Sequence, residues 1–177
     1  MINENKLVDL LNQKIKNFKA QNIHVYIVND KVIKSINSST SDGFTSTYFN
    51  NLNGEFIEAY ILVDEKLNPE LKLRVLYHEI GHVFYSRKLG GIEINNIKFT
   101  KGDLQWTISD EFEAFKNQLF EIKKLSELEN DPHFLGRQLD DLISRSQRDP
   151  TPYKEAIEKL FQDKLWTESY NSFTSRI

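Results

Sequence analysis

In the first twenty positions, apolar residues recur every three or four residues, which is the period of a helix. At about 100° per residue, the apolar side chains of this segment fall on one face. These side chains are Leu7, Leu10, Leu11, Ile15 and Phe18. The pattern predicts an amphipathic helix over residues 4 to 20.

Three runs rich in β-branched and aromatic residues follow, and each of them predicts a strand. They are Ile23 to Val28, Phe44 to Phe49 and Glu55 to Val63. Asn53-Gly54 favours a hairpin turn between the last two runs. Val32 to Ile36 is interpreted as an extension of the first strand after a turn at Asn29-Asp30. The strand Phe56 to Val63 is a candidate sheet edge, which could hold a substrate in extended form.

The next predicted helix has signals at both ends. Asn68 can cap it, Pro69 suits its first position, and Glu70 complements the positive end of the helix dipole. Gly90-Gly91 predicts an end near Leu89. Apolar residues occupy nearly every side of this helix, so we expect it to be buried.

The chain after this helix is predicted to be mainly helical. Residues 92 to 106 are expected to be irregular or partly extended. Thr107 or Ser109 can then cap a helix from Asp110 to Leu128, which Asp131-Pro132 breaks.

Two further helices are predicted, over Leu135 to Ser146 and Pro152 to Leu165, while the last dozen residues carry no readable pattern. A helix, a small sheet and then several helices predict an α+β fold. We expect a single domain of residues 1–177. Its small mixed or antiparallel sheet should pack on the buried helix that begins at Pro69, and the additional helices should lie in the C-terminal half.

Composition narrows the classes of partner. The chain has 177 residues, a net charge of −3 and a pI near 5.8, so it has no broad basic field and nucleic acid is not expected as a direct ligand. It has no cysteine, so a transition metal would need His, Asp or Glu ligands. No segment has the apolar length of a signal peptide or a membrane span, which predicts a cytoplasmic protein without a membrane partner.

The segment RVLYHEIGHVF, inside the predicted buried helix, carries the main candidate chemistry. His78 and His82 are four positions apart, so both imidazoles can reach one zinc ion at about 2.0–2.1 Å. Glu79 lies about 100° round the helix from His78, where it can take a proton from a water that the metal activates. This H-E-x-x-H pattern predicts His78 and His82 as metal ligands and Glu79 as the catalytic base.

A catalytic zinc ion takes three protein ligands and keeps one position open. Some zinc peptidases take a third histidine from the pattern H-x-x-G-x-x-H. Counted from His82, this pattern needs glycine at position 85 and histidine at position 88. Tyr85 and Lys88 occupy these positions, so a third ligand of this kind is excluded. On the later predicted helix, Glu111 falls within the apolar stripe whereas Glu113 falls on the polar face. A carboxylate on a buried face requires a cation, so Glu111 is the favoured third ligand. The alternatives that stay open are Asp110, Glu113 and Asp103.

Two segments resemble the ImmA/IrrE family of small intracellular metallopeptidases. They are AYILVDEKLNPELKLRVLYHEIGHVF and the later DEFEAF, within residues 59 to 120. In that family a strand leads into an H-E-x-G-H helix, and a later helix carries E-x-x-A, which Glu111 and Ala114 match here. The resemblance implies His78, His82 and Glu111 as zinc ligands and Glu79 as general base. Family members often cleave a repressor protein, which implies a regulatory protein as substrate.

The predicted function is therefore that of a zincin-like hydrolase, a zinc-dependent metallopeptidase acting on a protein or peptide. Two other functions stay open. One is a regulatory or binding protein that keeps the fold but cleaves nothing, and the other is a metalloprotease toxin or effector. The oligomeric state is not predicted.

Among other polar residues, Tyr77, Tyr85 and His133 are candidates to stabilise the oxyanion of a peptide-bond intermediate. For the two tyrosines, packing with the hydroxyl at the surface is the favoured interpretation. His133 is expected in a loop, and His24 is expected to face solvent from a strand.

Overall fold

The computed structural model describes residues 2–36, 42–96 and 104–177. The described chain is α+β and mostly helical, with a small three-stranded mixed sheet, as predicted. The helices are α1 Glu4–Lys19, α2 Asp30–Ile36, α3 Pro69–Leu89, α4 Gly91–Asn96, α5 Leu104–Leu128, α6 Pro132–Arg148, α7 Tyr153–Phe161 and α8 Lys164–Thr174. The strands are β1 Ile23–Val28, β2 Gly43–Phe49 and β3 Phe56–Asp64.

The strand order of the sheet is β1-β3-β2. β1 runs parallel to β3, with Val25 opposite Ile61, and β2 runs antiparallel to β3, with Thr45 opposite Ile61. The predicted turn at Asn53-Gly54 lies between β2 and β3, and Gly54 has a φ of 71°, which favours glycine. β3 is therefore the central strand in the described part of the chain, and the interpretation of Phe56 to Val63 as a sheet edge is wrong.

The chain divides into two compact units, Asn3–Lys98 and Phe99–Ile177 with Met1–Ile2. In the first unit, α1 contacts β1 and α3, while α3 contacts β2 and β3. In the second unit, α5 contacts α6, α7 and α8. Buried apolar residues of the first unit include Leu11, Ile23, Ile61, Leu76 and Ile80, and those of the second include Phe115, Leu119, Phe134, Leu139 and Ile157. A single domain over residues 1–177 remains a prediction.

The bounds of α3 are those predicted, because local signals fix both ends. The Asn68 side chain accepts a hydrogen bond from the backbone N–H of Leu71 at 2.9 Å, and Pro69 occupies the first helical position. Gly90 ends the helix with a φ of 74°. Eight of the 21 residues of α3 are buried, whereas Leu71 and Phe84 are exposed, so the apolar side chains are not covered on every side.

Two segments predicted to be extended or irregular are helical. Val32 to Ile36 belongs to α2, where Lys34 pairs with Asp30 one turn earlier at 2.6 Å. The short apolar run fits a strand or a helix equally, and this local pairing favours the helix. Residues 92 to 96, expected to be irregular or partly extended, belong to α4, which begins at Gly91.

Helix α5 begins at Leu104, six positions before the predicted start at Asp110. Ile108 is buried and extends the apolar face of the helix by one turn. Thr107 and Ser109 are therefore inside the helix rather than at its cap, and the Ser109 hydroxyl donates to the carbonyl oxygen of Gln105.

The C-terminal region contains one more break than predicted. The expected helix from Pro152 to Leu165 is two helices, α7 and α8, because Asp163 caps a new helix by accepting a hydrogen bond from Leu165 N at 2.8 Å. Helix α8 also covers most of the segment that carried no readable pattern. His133, expected in a loop, lies in the first turn of α6. In the described part of the chain, no helix combines the length and apolarity needed to cross a bilayer.

Candidate metal centre

Two imidazoles converge on one side of α3. His78 and His82 are one turn apart, and their Nε2 atoms are 3.3 Å from each other. Their ring planes are inclined at 86° with centroids 4.9 Å apart. Two nitrogens bound at 2.0–2.1 Å to one tetrahedral ion would be separated by about 3.3–3.4 Å. The spacing of the two Nε2 atoms therefore suits a shared ion, and both side chains are half-buried rather than sealed in the core.

The structure brings a carboxylate to these two imidazoles. His78, His82 and Glu111 each offer one ligand atom, and these atoms all lie within 4.8 Å of one another, so the group could hold a metal ion. Across residues 2–36, 42–96 and 104–177, no other group of His, Asp or Glu side chains meets this condition.

The position of Glu111 on α5 follows from the apolar face of that helix. Glu111 lies one turn after Ile108 and one turn before Ala114 and Phe115, which are all fully buried. Its own side chain is 8% exposed, the burial expected from the helical projection.

The other candidates for the third ligand are not part of the converging group in the described residues. Glu113 and Asp110 are both half-buried, and neither belongs to the group formed with the two imidazoles. Asp103 lies outside the described residues. The choice of Glu111 as a metal ligand stays a prediction that the convergence of its carboxylate supports.

Glu79 has an environment of its own, separate from the three converging residues. Glu79 is buried as a residue, and its Oε2 atom accepts a hydrogen bond from Thr45 Oγ1 on β2 at 2.5 Å. The same hydroxyl lies 3.2 Å from the backbone carbonyl oxygen of Glu79. Although it follows His78 directly, Glu79 is not among the three converging residues. A position beside the group, but outside it, suits a residue that accepts and donates a proton rather than one that binds an ion.

The remaining histidines lie elsewhere. His24 Nε2 is 3.6 Å from Glu58 Oε2, and its ring stacks on Tyr60 at a centroid distance of 5.2 Å. A side-chain hydrogen bond with Glu58 raises the pKa of Tyr60 above its usual value. His133 is exposed on α6. Neither histidine is part of the converging group.

The two tyrosines of α3 differ in accessibility. Tyr77 is only 2% exposed, and the Lys14 ammonium lies 5.2 Å from its ring centroid, as expected for a packing role. Tyr85 is half-buried.

Sequence reasoning missed three residues around the centre, namely Gly43, Thr45 and Arg74. Arg74 is buried one turn before His78, and its guanidinium donates to the Glu70 carboxylate at 2.5 Å. The Glu-x-x-x-Arg spacing within α3 could have indicated this pair. Gly43 and Thr45 contact Glu79 from β2, and no local pattern shows which helix a strand will face.

No protein-family model, no curated protein and no solved structure is significantly similar to this chain.

Proposed function

We propose that this chain is a zinc-dependent metallopeptidase. The observation that carries the proposal is the convergence of His78, His82 and Glu111, whose ligand atoms lie within 4.8 Å of one another, next to a buried glutamate that is not part of the group. This combination separates metal ligands from a proton acceptor, which is the division of roles that metal-assisted hydrolysis requires.

The donor set favours zinc over other divalent ions. Two imidazole nitrogens and one carboxylate oxygen are a common ligand set of catalytic zinc, whereas Mg²⁺ and Ca²⁺ prefer all-oxygen sites. Three protein ligands leave one coordination position for water and substrate. The half-buried state of both imidazoles is compatible with access from solvent.

The roles of the residues follow from this arrangement. His78 and His82, in their neutral form, would hold the ion through Nε2, and Glu111 would hold it through its carboxylate. A zinc ion held there would lower the pKa of a bound water and would polarise the scissile carbonyl. As the oxygen of the attacking water bonds to the carbonyl carbon, Glu79 accepts a proton from that water. The same carboxyl then returns that proton to the leaving amine as the C–N bond breaks.

A peptide is the substrate class that the surroundings support. β2 lies at one side of the described sheet and contacts α3, so its outer backbone groups could pair with an extended chain. Since Thr45 of β2 contacts Glu79, a peptide along this strand would run close to the proposed base. The resemblance to the ImmA/IrrE family suggests a regulatory protein, such as a repressor, as the natural target.

The test compares Glu79→Gln with the wild-type chain and with Glu113→Gln as the matched control. A proteome-derived peptide library serves as substrate, and mass spectrometry detects new termini. We expect Glu79→Gln to keep its zinc and to lose cleavage by at least about 10²-fold, the scale of general-base catalysis. Glu113→Gln should cleave like wild type.

Removal of the metal provides a second arm of this experiment. A chelator should abolish cleavage by the wild-type chain, and added zinc should restore it. Cleavage that is undiminished in Glu79→Gln would contradict the mechanism. A wild-type chain that binds zinc but cleaves no peptide would favour a regulatory or binding role.

A further inference from the structure

We propose that Thr45 is a positioning residue for Glu79. Its hydroxyl fixes Oε2 of the carboxylate, which leaves Oε1 as the oxygen that exchanges a proton with water and the leaving amine. This inference rests on the proposed peptidase function. It adds to that function a residue on β2, outside the segments that carry the metal-site motifs.

The contact between the two side chains is strong by its geometry. Thr45 Oγ1 donates to Glu79 Oε2 at 2.5 Å, the short end of the range for a hydroxyl bonded to a carboxylate. The backbone carbonyl oxygen of Glu79 lies farther from the same hydroxyl, at 3.2 Å. Since a hydroxyl has a single proton to donate, the carboxylate is its main acceptor.

Gly43 shapes the other side of the carboxylate. It lies two positions before Thr45 and therefore on the same face of β2. A Cβ at this position would meet Glu79 Oε1 at 2.7 Å, Glu79 Cγ at 3.0 Å and Val75 Cγ1 at 2.6 Å. Only glycine fits here without displacing a neighbour, so the carboxylate can lie close against the strand. β2 thus supplies a donor to one oxygen and a close backbone approach to the other.

The strand that carries these two residues is firmly held. Gly43 pairs with Val63 and Thr45 pairs with Ile61 in the antiparallel register with β3. Val63 and Ile61 are both fully buried. A hydroxyl on a strand anchored in this way can restrict a glutamate side chain that would otherwise sample several rotamers.

The test uses three variants of the full chain with zinc bound. Thr45→Val keeps the shape and removes the donor, Thr45→Ser keeps the donor, and Thr47→Val is the matched control on the same face of β2. We expect Thr45→Val to lower kcat by about 10–100-fold with KM changed less than about twofold, as for partners that orient a catalytic group. Thr45→Ser should recover most of kcat, and Thr47→Val should match wild type.

Two readouts do not depend on activity. Zinc content should be unchanged in Thr45→Val, because Thr45 is not one of the converging residues. Crystal structures should show Glu79 against Thr45 in the wild-type chain and a displaced carboxylate in Thr45→Val.

The outcomes separate this inference from the proposed function. An active wild-type chain whose Thr45→Val variant keeps its kcat would overturn the role of Thr45 alone. A wild-type crystal structure without the contact between Thr45 and Glu79 would do the same. A zinc-loaded wild-type chain that cleaves nothing would overturn the peptidase function, and the catalytic role of Thr45 with it.

Discussion

Gln118 and Gln138 form an amide pair that is buried among the helices of the second unit. Gln118 Nε2 donates to Gln138 Oε1 at 3.0 Å, and both side chains are almost inaccessible to solvent. Gln118 Oε1 and Gln138 Nε2 have no hydrogen-bond partner in the described part of the chain. The pair is therefore partly satisfied, a condition in which an apolar replacement of both residues can be tolerated.

We predict that Gln118 and Gln138 are strongly coupled in stability. Replacing one of them with Leu leaves the buried amide of the other without a hydrogen-bond partner, which should lower the free energy of unfolding by about 1–3 kcal/mol. The double variant Gln118→Leu/Gln138→Leu should be closer in stability to wild type than either single variant. Urea unfolding of the four chains gives the coupling energy directly. Strictly additive losses would contradict this interpretation of the pair.

The residues of the metal group could be proposed from sequence because each belongs to a helical pattern. The i,i+4 spacing of His78 and His82 is local, and so is the apolar face that carries Glu111. Thr45 could not be proposed in the same way. Its contact with Glu79 depends on how β2 packs against α3, and neither segment carries that information by itself.

At the scale of elements, Asp163 links a helix start to an ion pair. It accepts from Leu165 N at 2.8 Å as the cap of α8, and from Lys116 Nζ of α5 at 2.6 Å. Burial raises the pKa of Asp163, whereas the hydrogen bonds from Lys116 and Leu165 lower it. The lowering effects together are larger, so the net pKa lies below the usual 3.8. A carboxyl whose pKa is lower in the folded state stabilises the fold above its unfolded-state pKa.

This pKa shift predicts how variants of Asp163 respond to pH. Asp163→Asn keeps a capping side chain and loses the ion pair, so it should cost less than about 1 kcal/mol at pH 7. Asp163→Ala loses both contacts and should cost about 1–2 kcal/mol. The deficit of the Asn variant should shrink as the pH falls below about 4, where the unfolded-state carboxyl takes up its proton.

Urea unfolding at pH 7 and at pH 3 to 4 measures both effects. A deficit of Asp163→Asn that is the same at all of these pH values would show that charge contributes nothing at this junction. A deficit of Asp163→Ala no larger than that of Asp163→Asn would show that the cap contributes nothing.

Elements with signals at both ends were predicted best. α3 has a capping Asn68, Pro69 and the terminal Gly90, and its bounds are those expected. α5 has no such start signal in the described residues, so its first turns were missed. α2 was mistaken for a strand because its few apolar residues fit both periods, and the break before α8 depends on a cap at Asp163.

At the scale of the whole molecule, the three proposed metal ligands come from positions far apart in the chain. His78 and His82 lie on α3, and Glu111 lies on α5. Such a set is assembled in the folded chain and not in the unfolded chain, so a bound ion should stabilise the folded state. Occupancy of the group by metal is the claim on which both the peptidase function and the role of Thr45 depend.

Metal analysis tests this claim most directly. Wild type, Glu111→Ala and the matched control Glu113→Ala are equilibrated with zinc at neutral pH, freed of excess ion, and measured for zinc per chain. We predict about one zinc ion per chain in wild type and in Glu113→Ala, and loss of most of it in Glu111→Ala, since a catalytic site needs three protein ligands. A wild-type chain without zinc, or loss of zinc from Glu113→Ala alone, would contradict the account.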